Sequence, residues 1–129
     1  MKRNYFCPQC DAHLNPNIKI ILAVVRGPER GLALFSPQPG NYRVILAHGF
    51  SIAKGDLLDF HCPVCHASLR SPVSPQLARL VLRANRNSEN FVDFSRTFGE
   101  EATFVISDEQ VTPYGEHAEE YDGLNFFGE

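Results

Sequence analysis

The sequence predicts a mostly β protein: antiparallel hairpins in a meander, with a small lobe formed by two C-P-x-C knuckles. Three observations carry this expectation. β-Branched and aromatic residues gather in short runs bounded by Gly, Pro and Asn clusters, as in Ile18–Val25 and Ala102–Ser107. No long amphipathic helix follows either cysteine pair, and between the pairs the signals are mostly those of strands. And two cysteine-bearing segments, far apart in the chain, repeat one pattern.

Taken in order, Ile18–Val25 reads as a buried strand. Gly27-Pro28-Glu29-Arg30-Gly31 is turn chemistry, and Leu32–Phe35 returns. Ser36–Asn41, with two prolines and a glycine, is a loop. Tyr42–Ala47 is the next strand, and Lys54-Gly55-Asp56 reads as a hairpin tip. Leu57–His61 leads as a strand into the second cysteine pair. For Gln76–Ala84 the pattern admits helix or strand. Strand is favoured, because the turn signal Asn85–Ser88 and the aromatic run Phe91–Phe98 complete a hairpin. Asp108–Gln110 turns Ala102–Ser107 back into Val111–Tyr114. Three regions follow: residues 1–72 as the knuckle lobe with a β insertion at 11–61, 73–114 as an antiparallel region packed on it, and 115–129 as an acidic, loosely held tail.

At 129 residues the chain can bury a core of its own. A 43% hydrophobic and 21% charged composition is that of a soluble domain. The net charge of −3 hides an asymmetry. Residues 1–70 hold eight Lys/Arg against four acids, and residues 71–129 hold four against eleven. The second half therefore repels an anionic partner. The longest apolar run, Ile20–Val25, is far below the roughly 20 residues of a membrane span. After Met1-Lys2-Arg3 polar and turn residues stand where a secretory signal needs an apolar stretch. A cytoplasmic setting with reduced thiols is expected, and there four cysteines point to metal or redox chemistry rather than disulfides.

The two cysteine segments align residue for residue. Tyr5-Phe6-Cys7-Pro8-Gln9-Cys10-Asp11-Ala12-His13-Leu14 lies on Phe60-His61-Cys62-Pro63-Val64-Cys65-His66-Ala67-Ser68-Leu69, and both read C-P-x-C-x-A-x-L. Fifty-one residues separate Cys10 from Cys62. Two residues between cysteines let one tight turn aim both sulfurs at a single ion, and two such turns supply the four soft ligands that Zn²⁺ favours. Tetrahedral sulfur also suits iron. Proline after the first cysteine fixes φ for the turn, and the leucine beyond the second cysteine offers apolar cover. Two other chemistries use such pairs. Cys62-Pro63-Val64-Cys65-His66 is a literal c-type haem motif, but the other pair is then unexplained and the only methionine is Met1. Cys62 and Cys65 could form a redox dithiol, yet no long amphipathic helix follows to lower a thiol pKa.

These residues resemble the zinc-ribbon, or rubredoxin-like, class, in which two knuckles face each other across one ion. The resemblance covers the two knuckles alone. It implies that Cys7, Cys10, Cys62 and Cys65 are the ligands of one structural zinc. Members often have glycine after the second cysteine, where φ is positive. Asp11 and His66 hold those places here and tolerate that conformation. The nearby His13, His61 and His66 are candidates for supporting the site or replacing a ligand.

Weaker signals have plainer readings. Gly49-Phe50-Ser51-Ile52-Ala53 lacks the last glycine of a nucleophile elbow, and Gly49 to Gly55 has a phosphate loop's residues in the wrong order. Arg79, Arg83, Arg86 and Arg96, interleaved with Phe91, Phe94 and Phe98, are nucleic-acid candidates in an otherwise acidic half. His117 among Glu116, Glu119 and Glu120 reads as a solvated tail. Phe126-Phe127 reads as a docking peptide or a terminal strand. The function expected is non-enzymatic: a protein-binding adaptor with structural zinc. A nucleic-acid-associated zinc ribbon is the alternative, and a thiol redox protein using Cys62 and Cys65 comes third.

Overall fold

The computed structural model describes residues 3–47, 51–85 and 88–127. Among them are nine strands and one 3-10 turn, Ala118–Tyr121, and no α-helix. The strands are β1 (Asn4–Phe6), β2 (Ile20–Arg26), β3 (Glu29–Phe35), β4 (Val44–Leu46), β5 (Asp59–His61), β6 (Leu77–Asn85), β7 (Ser88–Ser95), β8 (Thr103–Ile106) and β9 (Val111–Tyr114). All pairings are antiparallel, in two sheets ordered β1-β6-β7-β8-β9 and β4-β3-β2-β5.

The ambiguous segment Gln76–Ala84 forms strand β6, and β6–β7 is the expected hairpin. Its alternation puts Ala78, Leu80 and Leu82 in the main core and turns Arg79 and Arg83 outward. The β2–β3 turn is tighter than Gly27–Gly31: Arg26 pairs with Glu29, so only Gly27 and Pro28 turn. Gly27 has φ +58°. Proline cannot take positive φ, so this is the II′ geometry that suits a twisted hairpin.

Three expectations need correction. Lys54-Gly55-Asp56 does turn, with Gly55 at φ +94°, but it is no hairpin tip. The strands around it, β4 and β5, occupy opposite edges of their sheet. The aromatic strand ends at Ser95, not Phe98. Residues 96–98 leave the sheet and bond to 55–58 instead, through Leu58 N–H to Arg96 O, Phe98 N–H to Asp56 O and Gly55 N–H to Phe98 O. And the acidic tail is packed. Ala118, Tyr121, Leu124 and Phe126 close a second apolar cluster with Leu77, Ala102, Phe104 and Ile106. Burying those aromatic and aliphatic side chains outweighs the solvation of the acids between them, which stay on the surface.

The two sheets are versions of one another. The duplicated knuckles place Phe6 on His61. Phe6 pairs with Val81 and His61 with Ala23, so β6 corresponds to β2. Leu22 pairs with Ala33, and Ala33 with Leu46. Leu80 pairs with Val92, and Val92 with Val105. The order β5-β2-β3-β4 thus repeats as β1-β6-β7-β8, with β9 and the tail added to the second copy. The leading strands are exchanged. β1, before the first knuckle, joins the sheet of the second half, and β5, before the second knuckle, joins the sheet of the first. Corresponding residues Phe35 and Phe94 meet in the core, with Phe60 against both. The inner faces share one main core, which includes Tyr5, Leu22, Val24, Leu80, Leu82 and Val92. A largely apolar cavity of ≈ 200 Å³ opens between them.

Candidate metal centre

Each knuckle is built by the same short set of bonds. In the first, Cys7 N–H donates to Ala12 O (3.0 Å), Asp11 N–H to Cys7 O (2.9 Å) and Leu14 N–H to Tyr5 O (2.8 Å). In the second, Cys62 N–H donates to Ala67 O (3.0 Å), His66 N–H to Cys62 O (3.0 Å) and Leu69 N–H to Phe60 O (2.8 Å). The turn closes through positive φ at Asp11 (64°) and His66 (66°), the places where glycine is common. An Asp and a His hold that conformation at modest cost.

The turn also aims backbone donors at sulfur. Gln9 and Cys10 N–H point at Cys7 Sγ (3.3 and 3.5 Å), and Val64 and Cys65 N–H at Cys62 Sγ (3.3 and 3.5 Å). Such donors disperse thiolate charge. Cys7 and Cys62 are buried; Cys10 and Cys65 lie on the exposed side. Leu14 and Leu69 are fully buried in the main core and so anchor each knuckle to it.

The four sulfurs lie within 4.8 Å of one another. Cys7 Sγ is 3.8 Å from Cys65 Sγ, and Cys10 Sγ is 3.7 Å from Cys62 Sγ. A tetrahedron with metal–sulfur bonds of about 2.3 Å has edges of about 3.8 Å. The donor set therefore fits one tetrahedral ion held by both knuckles. Burial pushes the Cys7 thiol up to about 12. The backbone N–H of Ala67, with neighbouring sulfurs, draws Cys65 below the usual thiol value. Binding a cation to such a set displaces protons.

The histidines stand beside the cluster rather than in it. His13 stacks on Phe6 (centroids 5.0 Å apart) and its Nε2 lies 3.2 Å from Asn4 Oδ1. His61 Nδ1 lies 3.0 Å from the His66 carbonyl, across the base of the second knuckle. His66 itself is exposed. His117 Nδ1 accepts the Glu101 N–H (2.9 Å) and ties down the start of the tail. Among the described residues it joins no metal-binding group.

The arginines are dispersed and already partnered. Arg79 makes a forked pair with fully buried Asp93 (2.6 and 3.1 Å) and lies over Phe91. Arg83 lies over Phe6 and pairs with Asp11 (2.7 Å) and Glu89 (2.9 Å). Arg96 is buried. It donates to the carbonyls of Leu58 (2.8 Å) and Pro75 and pairs with Asp59 (2.6 Å). Phe94 and Phe98 pack against the core, not beside the arginines. Arg86 lies outside the described residues, as do Gly49 and Phe50 of the elbow-like segment.

Sequence reasoning missed the knot of Arg96, Asp59 and Arg70, which joins the second knuckle's leading strand to the segment after β7. It also missed Arg83, which braces the first knuckle from β6. An arginine carries no local signal of the distant acid it will meet.

Fold and site together define a class: an almost entirely β protein with a zinc-ribbon-like centre of four cysteines. No family model, curated protein or solved structure matches the chain. No helix among the described residues is long and apolar enough to cross a membrane.

Proposed function

We propose that this is a non-enzymatic protein in which one structural zinc, held by Cys7, Cys10, Cys62 and Cys65, fixes a β scaffold that binds another protein. The observation that carries the reading is the sulfur cluster, with edges of 3.7 and 3.8 Å. Four thiolates fill a tetrahedral ion and leave no position for a substrate or water, which favours a structural over a catalytic metal. Free, clustered thiols suit a reducing compartment such as the cytoplasm. The redox reading is weakened by the burial of Cys62 and by the turn that follows Cys65 in place of a helix. The nucleic-acid reading is weakened by the carboxylates on Arg79, Arg83 and Arg96, since a phosphate would have to displace them.

The test is native mass spectrometry with metal analysis on protein purified without chelator, with thiols counted before and after denaturation. One zinc per chain, and four thiols reactive only after unfolding, is the expected result. One iron would keep the site and change the ion. Metal-free protein with Cys62 and Cys65 open to alkylation would overturn the reading in favour of thiol chemistry.

A further inference from the structure

The correspondence between the sheets exposes a difference in how their outer faces are finished. In the second half, Phe104 on β8 is covered by Tyr121 and Phe126, at centroid distances of 5.7 and 4.9 Å. The segment that covers it is acidic, with Glu116, Glu119, Glu120 and Asp122. β9 also pairs along the outer edge of β8.

The first half has the same face and, among the described residues, no such cover. Pairing places Ile21, Leu34 and Ile45 in one row across β2, β3 and β4, with Ala23 and Leu32 in the next. Alternation turns these side chains away from the core, which takes Leu22, Ala33 and their neighbours. Ile45 is the counterpart of Phe104. Ile45 is 52% exposed and Leu32 47%. β4 has no strand on its far side among the described residues. A continuous apolar sheet face with an open edge beside it marks an interaction surface.

Charge indicates what covers it. Arg30 falls on the outward face of β3 by strand alternation, Lys19 and Arg43 stand directly before β2 and β4, and all three are exposed. None has a carboxylate partner among the described residues. Two copies packed through this face would bring like charges together. An acidic segment would pair with them.

We propose that the outer face of β2, β3 and β4 is a docking site for an acidic peptide segment of another protein. Its aromatic or leucine side chains cover Ile21, Leu34 and Ile45 as Tyr121 and Phe126 cover Phe104, and its carboxylates meet Lys19, Arg30 and Arg43. The proposal rests on the interaction-module reading above and names the chemistry of its partner.

The test is a random-peptide display library selected on the full metal-loaded chain, with binding of the enriched peptides measured by fluorescence anisotropy. Two outward-facing double variants serve as controls. Leu32→Thr/Ile45→Thr keeps β-branched strand residues, and Arg30→Glu/Arg43→Glu reverses the rim. Both must retain the wild-type metal content. The expected result is enrichment of Asp/Glu-rich peptides carrying Phe, Tyr or Leu, with affinity lowered about tenfold or more in each variant and weakened by salt. Peptides that bind both variants unchanged would overturn this surface and leave the interaction-module reading standing. No enrichment on any form would overturn both. A dimer in sedimentation that dissolves in Leu32→Thr/Ile45→Thr would make a second copy the occupant and overturn the acidic partner.

Discussion

Ile18 has φ +88° and is 66% exposed. A β-branched side chain pays for that conformation in steric strain and gains little burial in return. Ile18→Gly is expected to raise stability by about 1 kcal/mol in urea denaturation. A loss of stability would show that the side chain packs in solution. A second residue-scale prediction comes from the duplication. Arg79 and Asp93 pair across β6 and β7 where Ile21 and Leu34 pair across β2 and β3. The chain has thus built one position twice, once ionic and once apolar. Removing only one member of a buried pair leaves an uncompensated charge, so Asp93→Leu alone is expected to cost about 3–5 kcal/mol. Arg79→Ile with Asp93→Leu is expected to recover most of it, less the acceptor that the Ser71 hydroxyl loses (2.7 Å). Chemical denaturation of the single and double variants decides the sign.

At the scale of elements, the tail acts as a cover for one end of a sheet. Deleting residues 116–129 would expose Phe104 and Ile106 and leave the Glu101 N–H without the His117 acceptor. A loss of about 3 kcal/mol is expected from the apolar burial alone, with new binding of a hydrophobic dye. Amide exchange should speed up in β8 and β9 and stay unchanged in β2 and β3, because the apolar side chains of the tail cluster with those of the second sheet. Equal loosening of both sheets would mean that the tail supports the whole fold.

At the scale of the molecule, the exchanged leading strands set what an ion held by the two knuckles would do. β1 ends at the first knuckle and belongs to the second sheet; β5 ends at the second knuckle and belongs to the first. An ion joining the knuckles therefore clasps both sheets at one point, and its binding energy adds to folding energy. Chelation is expected to lower the melting temperature and to speed amide exchange in β2 and β6 together. Cys10→Ser and Cys65→Ser, one from each knuckle, should reproduce that loss to a similar degree, since each leaves three thiolates. If chelation loosened one sheet only, the clasp would not span the molecule.

Much of this was legible in the chain. The knuckles were readable because their chemistry is local. Cysteine spacing, the proline and the small repeat fix a turn through neighbouring residues, so Cys7, Cys10, Cys62 and Cys65 could be grouped before any fold was known. Strand identity followed from β-branched and aromatic runs and, at Gln76–Ala84, from the turn signal and aromatic run that complete a hairpin. Strand ends were less readable where a distant segment captured the backbone, as 55–58 captures 96–98. The tail misled because charge and glycine describe its solvent side, whereas Tyr121, Leu124 and Phe126 act through a surface that exists only after β8 is built.

By itself, then, the sequence determined the class of the fold and the four cysteines that cluster at one site, since period and spacing act within a few residues. Only the tertiary structure decided that the leading strands cross between sheets, that Arg96 is an internal strut, and that one outer face is covered while, among the described residues, its twin is not. Those features depend on which strand lies beside which. That is set by packing and loop closure over tens of residues, and no local pattern encodes it.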